Sequence, residues 1–136
     1  MIKSMAVVFF IGFSLIIYWG WLIVMPNVTY TDKDFFKYYL LTYKEIRNAP
    51  RLSENYFFEY GPSDESSPQS SVIYFCDLKN IDENLQKMVL YINNTHIPLI
   101  AGYSWDNPPR GEYFYLGKVG VKGNKCLMLM LSKEVN

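Results

Sequence analysis

Residues 5–25 read MAVVFFIGFSLIIYWGWLIVM, without a single charged side chain. At a rise of ~1.5 Å per residue, a helix over this stretch is roughly 30 Å long, about the thickness of a bilayer's hydrocarbon core. The stretch therefore predicts a membrane anchor. Only Gly12, Ser14 and Gly20 dilute the apolar run, and membrane helices tolerate all three residue types. Tyr18, Trp19 and Trp21 crowd its C-terminal end, where amphipathic rings suit the headgroup level. Pro26 should stop the helix, because it lacks an N–H and restricts Met25 before it. The expected organisation is a single-pass anchor over 1–26 and one exported domain over 27–136.

Two processed alternatives fit less well. A secretory signal peptide would use Met1, Ile2 and Lys3 as its basic end, but no small-x-small cleavage site follows between Trp21 and Thr31. Gly12-Phe13-Ser14-Leu15-Ile16 resembles the processing site of type IV prepilins. The leader over 6–11 is apolar where that family's is polar and basic, and Ile17 stands where the family carries a glutamate. Pro26 also ends the helix where a pilin stalk continues. No cysteine lies near the anchor to carry a lipid. Lys3 on one side and Lys33, Lys37 and Lys44 on the other nearly balance, so positive charge gives orientation little direction.

The remaining ~110 residues suffice for one small domain with its own core. Thirteen basic and thirteen acidic residues cancel. With no basic patch, binding to nucleic acid has no electrostatic support. Half of the chain is apolar, with twelve Tyr and nine Phe, which excludes a disordered tail. Cys76 and Cys126 sit in the strand-like runs VIYFC and CLMLML. They fit one disulfide in an exported domain, or two buried thiols packed as small hydrophobes. A bond would place the domain in an oxidising compartment, and hence the N-terminus inside.

Along the domain, Thr31 or Asp32 is expected to cap a helix over 32–47. Its apolar stripe is Phe36, Tyr39, Leu40, Tyr43 and Ile46, widened by Phe35, Tyr38 and Leu41, and it should face the core. The aromatic run 55–60 and the run 72–78 predict strands that pair across a polar loop over 61–71. Asn80 with Glu83 three residues on has the form of a capping box. Leu85, Met88, Val89 and Ile92 then follow at helical spacing. Asn93 and Asn94 are expected to end this helix. Strands over 97–105, 112–121 and 126–131 complete the chain, with a proline turn over 106–111 and a tight turn over 122–125. The unbroken apolar run of the last strand predicts a place near the centre of the sheet. The sum is an α+β domain, a mainly antiparallel sheet of about five strands with two helices on one face.

Catalytic chemistry finds little support. His96 is the only histidine. With Cys76 and Cys126 it makes too few and too widely spaced ligands for zinc, and a Cys–His nucleophile would need exposed cysteines. Residues 117–123 (GKVGVKG) lack the spacing of a phosphate loop and read as a hairpin. Asp64, Glu65 and Asp106 sit in turn-like segments where acids are solvated. No catalytic residue, metal, cofactor or small-molecule substrate is expected. Tyr103, Trp105, Asp106, Arg110, Tyr113 and Tyr115 gather around the proline turn, and these types dominate binding hot spots. The competing reading is that the alternate aromatics simply fill the core.

One anchor followed by one compact domain resembles, in build, the immunity proteins of bacterial toxin systems. The resemblance implies a non-enzymatic protein of the bacterial inner membrane whose periplasmic domain captures a toxin or effector protein. The alternative is a structural or regulatory subunit of an inner-membrane complex, packed through Gly12 and Gly20.

Overall fold

The computed structural model describes residues 1–24, 27–62, 68–100 and 110–134. Helix α1 (Ile2–Val24) is followed by strand β1 (Val28–Tyr30), helices α2 (Phe35–Leu41) and α3 (Lys44–Arg47), and strands β2 (Tyr56–Gly61) and β3 (Gln69–Cys76). Helix α4 (Ile81–Thr95) then leads to β4 (Leu99–Ile100), β5 (Tyr113–Val121) and β6 (Asn124–Lys133). The domain is α+β, with a six-stranded sheet in the order β1-β2-β3-β6-β5-β4. All pairings are antiparallel except β4 with β5.

Helix α1 is long and apolar enough to cross a membrane, with 20 residues of mean hydropathy 1.9. None of its side chains over 1–21 is buried. A helix that is apolar all round, with no protein to cover it, has the surface of a membrane span.

The sheet is built by strand alternation. Successive side chains point to opposite faces, so the register assigns each residue a side. One face carries Phe58, Ile73, Phe75, Phe114, Leu129 and Leu131, all fully buried. Ile46 of α3 and Met88 and Ile92 of α4 pack into the same cluster. The helices therefore lie on one face, as expected. Strand β6 is one of the two central strands, consistent with its apolar run. At the β5–β6 turn, Lys122 (φ 50°) and Gly123 (φ 82°) both adopt positive φ, as a two-residue hairpin of right-handed twist requires.

The structure corrects the sequence reading in several places. The sheet has a sixth strand, β1, where residues 28–30 pair with Phe58, Glu59 and Tyr60. The helix expected over 32–47 is two short helices, beginning at Phe35 after Asp34, which makes no side-chain capping bond. The break at Thr42 has tertiary causes. Thr42 is extended, and its hydroxyl meets the Tyr30 hydroxyl at 2.6 Å in a buried site. Next to it, the Tyr43 N–H donates to Ser71 Oγ at 3.3 Å. Only Tyr38, Leu41, Tyr43 and Ile46 of the stripe face the core. Phe35, Phe36, Tyr39 and Leu40 are exposed.

Strand β3 ends at Cys76, two residues before the expected end, because Asp77 takes a positive φ of 57°. It also starts at Gln69, inside the expected loop, whose residues 63–67 lie outside the described residues. Helix α4 opens as read, with Asn80 Oδ1 accepting from the Glu83 N–H at 3.2 Å. It runs past Asn93 and Asn94 to Thr95, and His96 takes the left-handed position at φ 61°. Of the strand expected over 97–105, Leu99–Ile100 is formed, and 101–109 lie outside the described residues.

Candidate functional site

The opposite face of the sheet carries no helix among the described residues. Its middle is an apolar cluster in which Val72, Tyr113 and Met130 are buried, with Ile100, Tyr115 and Met128 against them. Over part of this cluster and on toward β1 the face opens into a groove of about 1300 Å³. Phe57 of β2, Tyr74 of β3, Met128 of β6 and Tyr115 of β5 supply its apolar floor. Thr29 and Glu59 stand toward the β1 edge, and Val119 and Val121 toward the β5 end.

The floor is set by register. Phe57 and Tyr74 are direct cross-strand partners, and their rings stack at 4.7 Å with an interplanar angle of 14°. Such pairs are the stabilising unit of a sheet face. Cys76 and Cys126 are likewise opposed, with Cα atoms 4.3 Å apart, and are joined by a disulfide. A spacing this short suits a non-hydrogen-bonded antiparallel pair. The bond lies on the groove face and ties β3 to β6. Neither cysteine keeps a thiol to offer His96. Tyr115 owes its place to Gly117, since a Cβ there would stand 2.8 Å from the Tyr115 hydroxyl oxygen and 3.0 Å from its ring. With no side chain at 117, the ring lies along the strand and contributes to the wall.

The electrostatics are simple. Glu59 is the one carboxylate of the groove lining among the described residues, and burial raises its pKa above its ordinary value. Asn27 Nδ2 donates to it at a long 3.5 Å. The Tyr74 phenol is pushed up to about 12, first by burial and then by the nearby Glu59 charge, so it stays neutral in the physiological range. Lys122 also stands in the lining, toward the β5–β6 turn, and a carboxylate beside the apolar floor suits accepting a hydrogen bond or a cation from a bound segment. Among the described residues, no group of three or more His, Cys, Asp or Glu side chains gathers as a metal site.

Of the binding residues expected from sequence, Tyr103, Trp105 and Asp106 lie outside the described residues, as do Asp64 and Glu65. Arg110 is exposed. Tyr113 is buried in the second cluster and Tyr115 lines the groove, so these two share the helix-free face. Phe57, Glu59, Tyr74 and Met128 were not singled out by the sequence. The runs NYFFEY and VIYFC are aromatic on both faces, so their composition does not say which side is covered. Comparison with protein-family models, with curated proteins and with solved structures gave no match.

Proposed function

We propose that the chain is a membrane-anchored capture protein of the bacterial envelope, of the immunity or inhibitor type. In this reading α1 crosses the inner membrane and the domain faces the periplasm. The helix-free face of the sheet takes a segment of a partner protein. The observation that carries the reading is the groove itself. At about 1300 Å³ it is larger than the ~300–1,000 Å³ usual for small-molecule sites, and it is an open face of a sheet. Its aromatic and methionine floor is the surface type that dominates protein hot spots, and one partly buried carboxylate would fix register. The cross-strand disulfide supports the choice of compartment, because such bonds persist in oxidising surroundings.

The mechanism is occlusion. The anchor would hold the domain beside the membrane, and the groove would cover the part of the effector that acts there. The test is a photo-cross-linking residue placed at Phe57, Tyr74 or Met128 in the full-length chain, expressed in a bacterial inner membrane. Discrete protein adducts from these positions, and none from exposed Leu90 of α4, are expected. The same cross-linking residue is placed at Gly12 and Gly20, where an added Cβ would meet no other described part of the chain within 4 Å; adducts from these two positions and none from the groove would instead favour a subunit packed through its span.

A further inference from the structure

Helix α2 carries apolar residues on both sides. Tyr38 and Leu41 pack inward on the core. Phe35, Phe36, Tyr39 and Leu40 face outward with 63%, 67%, 53% and 49% of their surfaces exposed. They form one connected patch. The Phe35 ring meets Phe36 edge-on at 5.8 Å and Tyr39 at 4.7 Å. Arg47 adds its guanidinium over the Tyr39 ring at 5.3 Å. Lys33 and Lys44 are exposed on either side, with Asp32 and Asp34 flanking Lys33 and Asp34 paired to Lys37 at 3.4 Å. Exposed single apolar residues are ordinary, but a contiguous aromatic patch with a charged rim marks an interaction surface.

Its position in the chain names the occupant. Tyr30, fixed in the sheet by pairing with Phe58, comes six residues after the end of α1 at Val24. At ~3.5 Å per residue, those links reach at most ~20 Å, so an inserted α1 holds the β1 edge of the sheet close to the membrane surface. The Tyr38 ring on the inner side of α2 packs at 5.1 Å on Phe58, the residue that pairs with Tyr30. The patch is thus built onto the part of the domain nearest the bilayer. Aromatic side chains with basic neighbours have the composition that lies ~5–10 Å deep at the headgroup–acyl boundary.

We infer that the outer face of α2 rests in the interface of the same membrane that α1 crosses, pinning the domain against the lipid surface in a fixed orientation. Mechanistically this deepens the proposed anchoring, and it rests on α1 spanning the membrane. With Phe35, Phe36, Tyr39 and Leu40 in lipid, the domain cannot tumble about its short tether. The groove is then presented in one orientation relative to the membrane.

The test uses the full chain in vesicles of phosphatidylethanolamine and phosphatidylglycerol. Cys76 and Cys126 are occupied by their bond, so a Phe36→Cys variant labels with a nitroxide at one site. Lys87→Cys on α4 is the aqueous control. Alkaline extraction first reports the span separately: release of the chain from the vesicles refutes the anchor reading itself. In chains that resist extraction, the label at 36 is expected to collide more often with oxygen than with a polar nickel chelate, and the label at 87 the reverse. Equal aqueous accessibility at 36 and 87 overturns the inference. Dipolar broadening at 36 that vanishes on dilution with unlabelled chain also overturns it, because a second copy would then cover the patch. A triple variant, F35S/F36S/Y39S, is expected to raise the mobility of a label at 87 while the domain still unfolds in a cooperative thermal transition. Unchanged mobility contradicts pinning.

Discussion

Reducing the Cys76–Cys126 bond should destabilise the domain chiefly through its denatured state. The two Cα atoms stand 4.3 Å apart as direct partners in a β3–β6 ladder of eight paired positions. That ladder holds them together with or without the bond, so the native state changes little. The denatured chain changes much more, because the bond closes a loop with a sequence separation of 50. The chain-entropy relation for a loop of that size gives about 4 kcal/mol at 25 °C. For a domain of ~110 residues, with an unfolding entropy of roughly 2.1 cal/mol/K per residue, that lowers the thermal midpoint by roughly 17 °C. The assay is thermal unfolding of the full chain in detergent micelles, followed by near-ultraviolet circular dichroism with and without reductant. The double variant C76A/C126A, measured without reductant, should match the reduced protein. A midpoint lowered by less than about 4 °C, or roughly 1 kcal/mol, would refute the reasoning. The bond would then be redundant with structure retained in the denatured chain.

Three further outcomes are expected. Tyr30→Phe removes one partner of the buried 2.6 Å hydroxyl pair with Thr42 and should cost about 1–2 kcal/mol in chemical denaturation; no measurable loss would mean that this pair does not hold the α2–α3 break. Ile92→Ala empties a fully buried site and should cost about 2–5 kcal/mol, whereas Leu90→Ala on the exposed side of the same helix should stay within about 0.5 kcal/mol. Burial raises the folded pKa of Glu59 above its unfolded value, so its contribution to stability is fully present below the unfolded pKa and is lost as pH rises through the folded one. Glu59→Gln should therefore stabilise the domain near pH 7 and have little effect near pH 3, compared by urea midpoints at the two pH values; equal effects at both would contradict the burial of this carboxylate.

Much of this architecture was legible in the sequence because it rests on local rules. An uncharged apolar run specifies a bilayer-length helix whatever follows it. Asn80 and Glu83 start α4 because a side-chain oxygen three residues from an unpaired amide is a local geometric fact. The apolar run of β6 foretold a central strand, and the Lys122-Gly123 hairpin followed from turn chemistry. Tertiary structure decided what depends on a partner distant in sequence. Residues 28–30 are too few to show a period and become a strand only by pairing with β2. The apolar stripe of 32–47 is continuous in sequence, but contacts of Thr42 with Tyr30 and of Tyr43 with Ser71 break it and turn half of it outward. Cys76 and Cys126 are 50 residues apart, and only the ladder register sets them opposite one another. The groove follows from the same cause. Strands β2 and β3 are apolar on both faces, so the side the helices leave open is fixed by where Ile46, Met88 and Ile92 pack, not by the composition of the strands themselves.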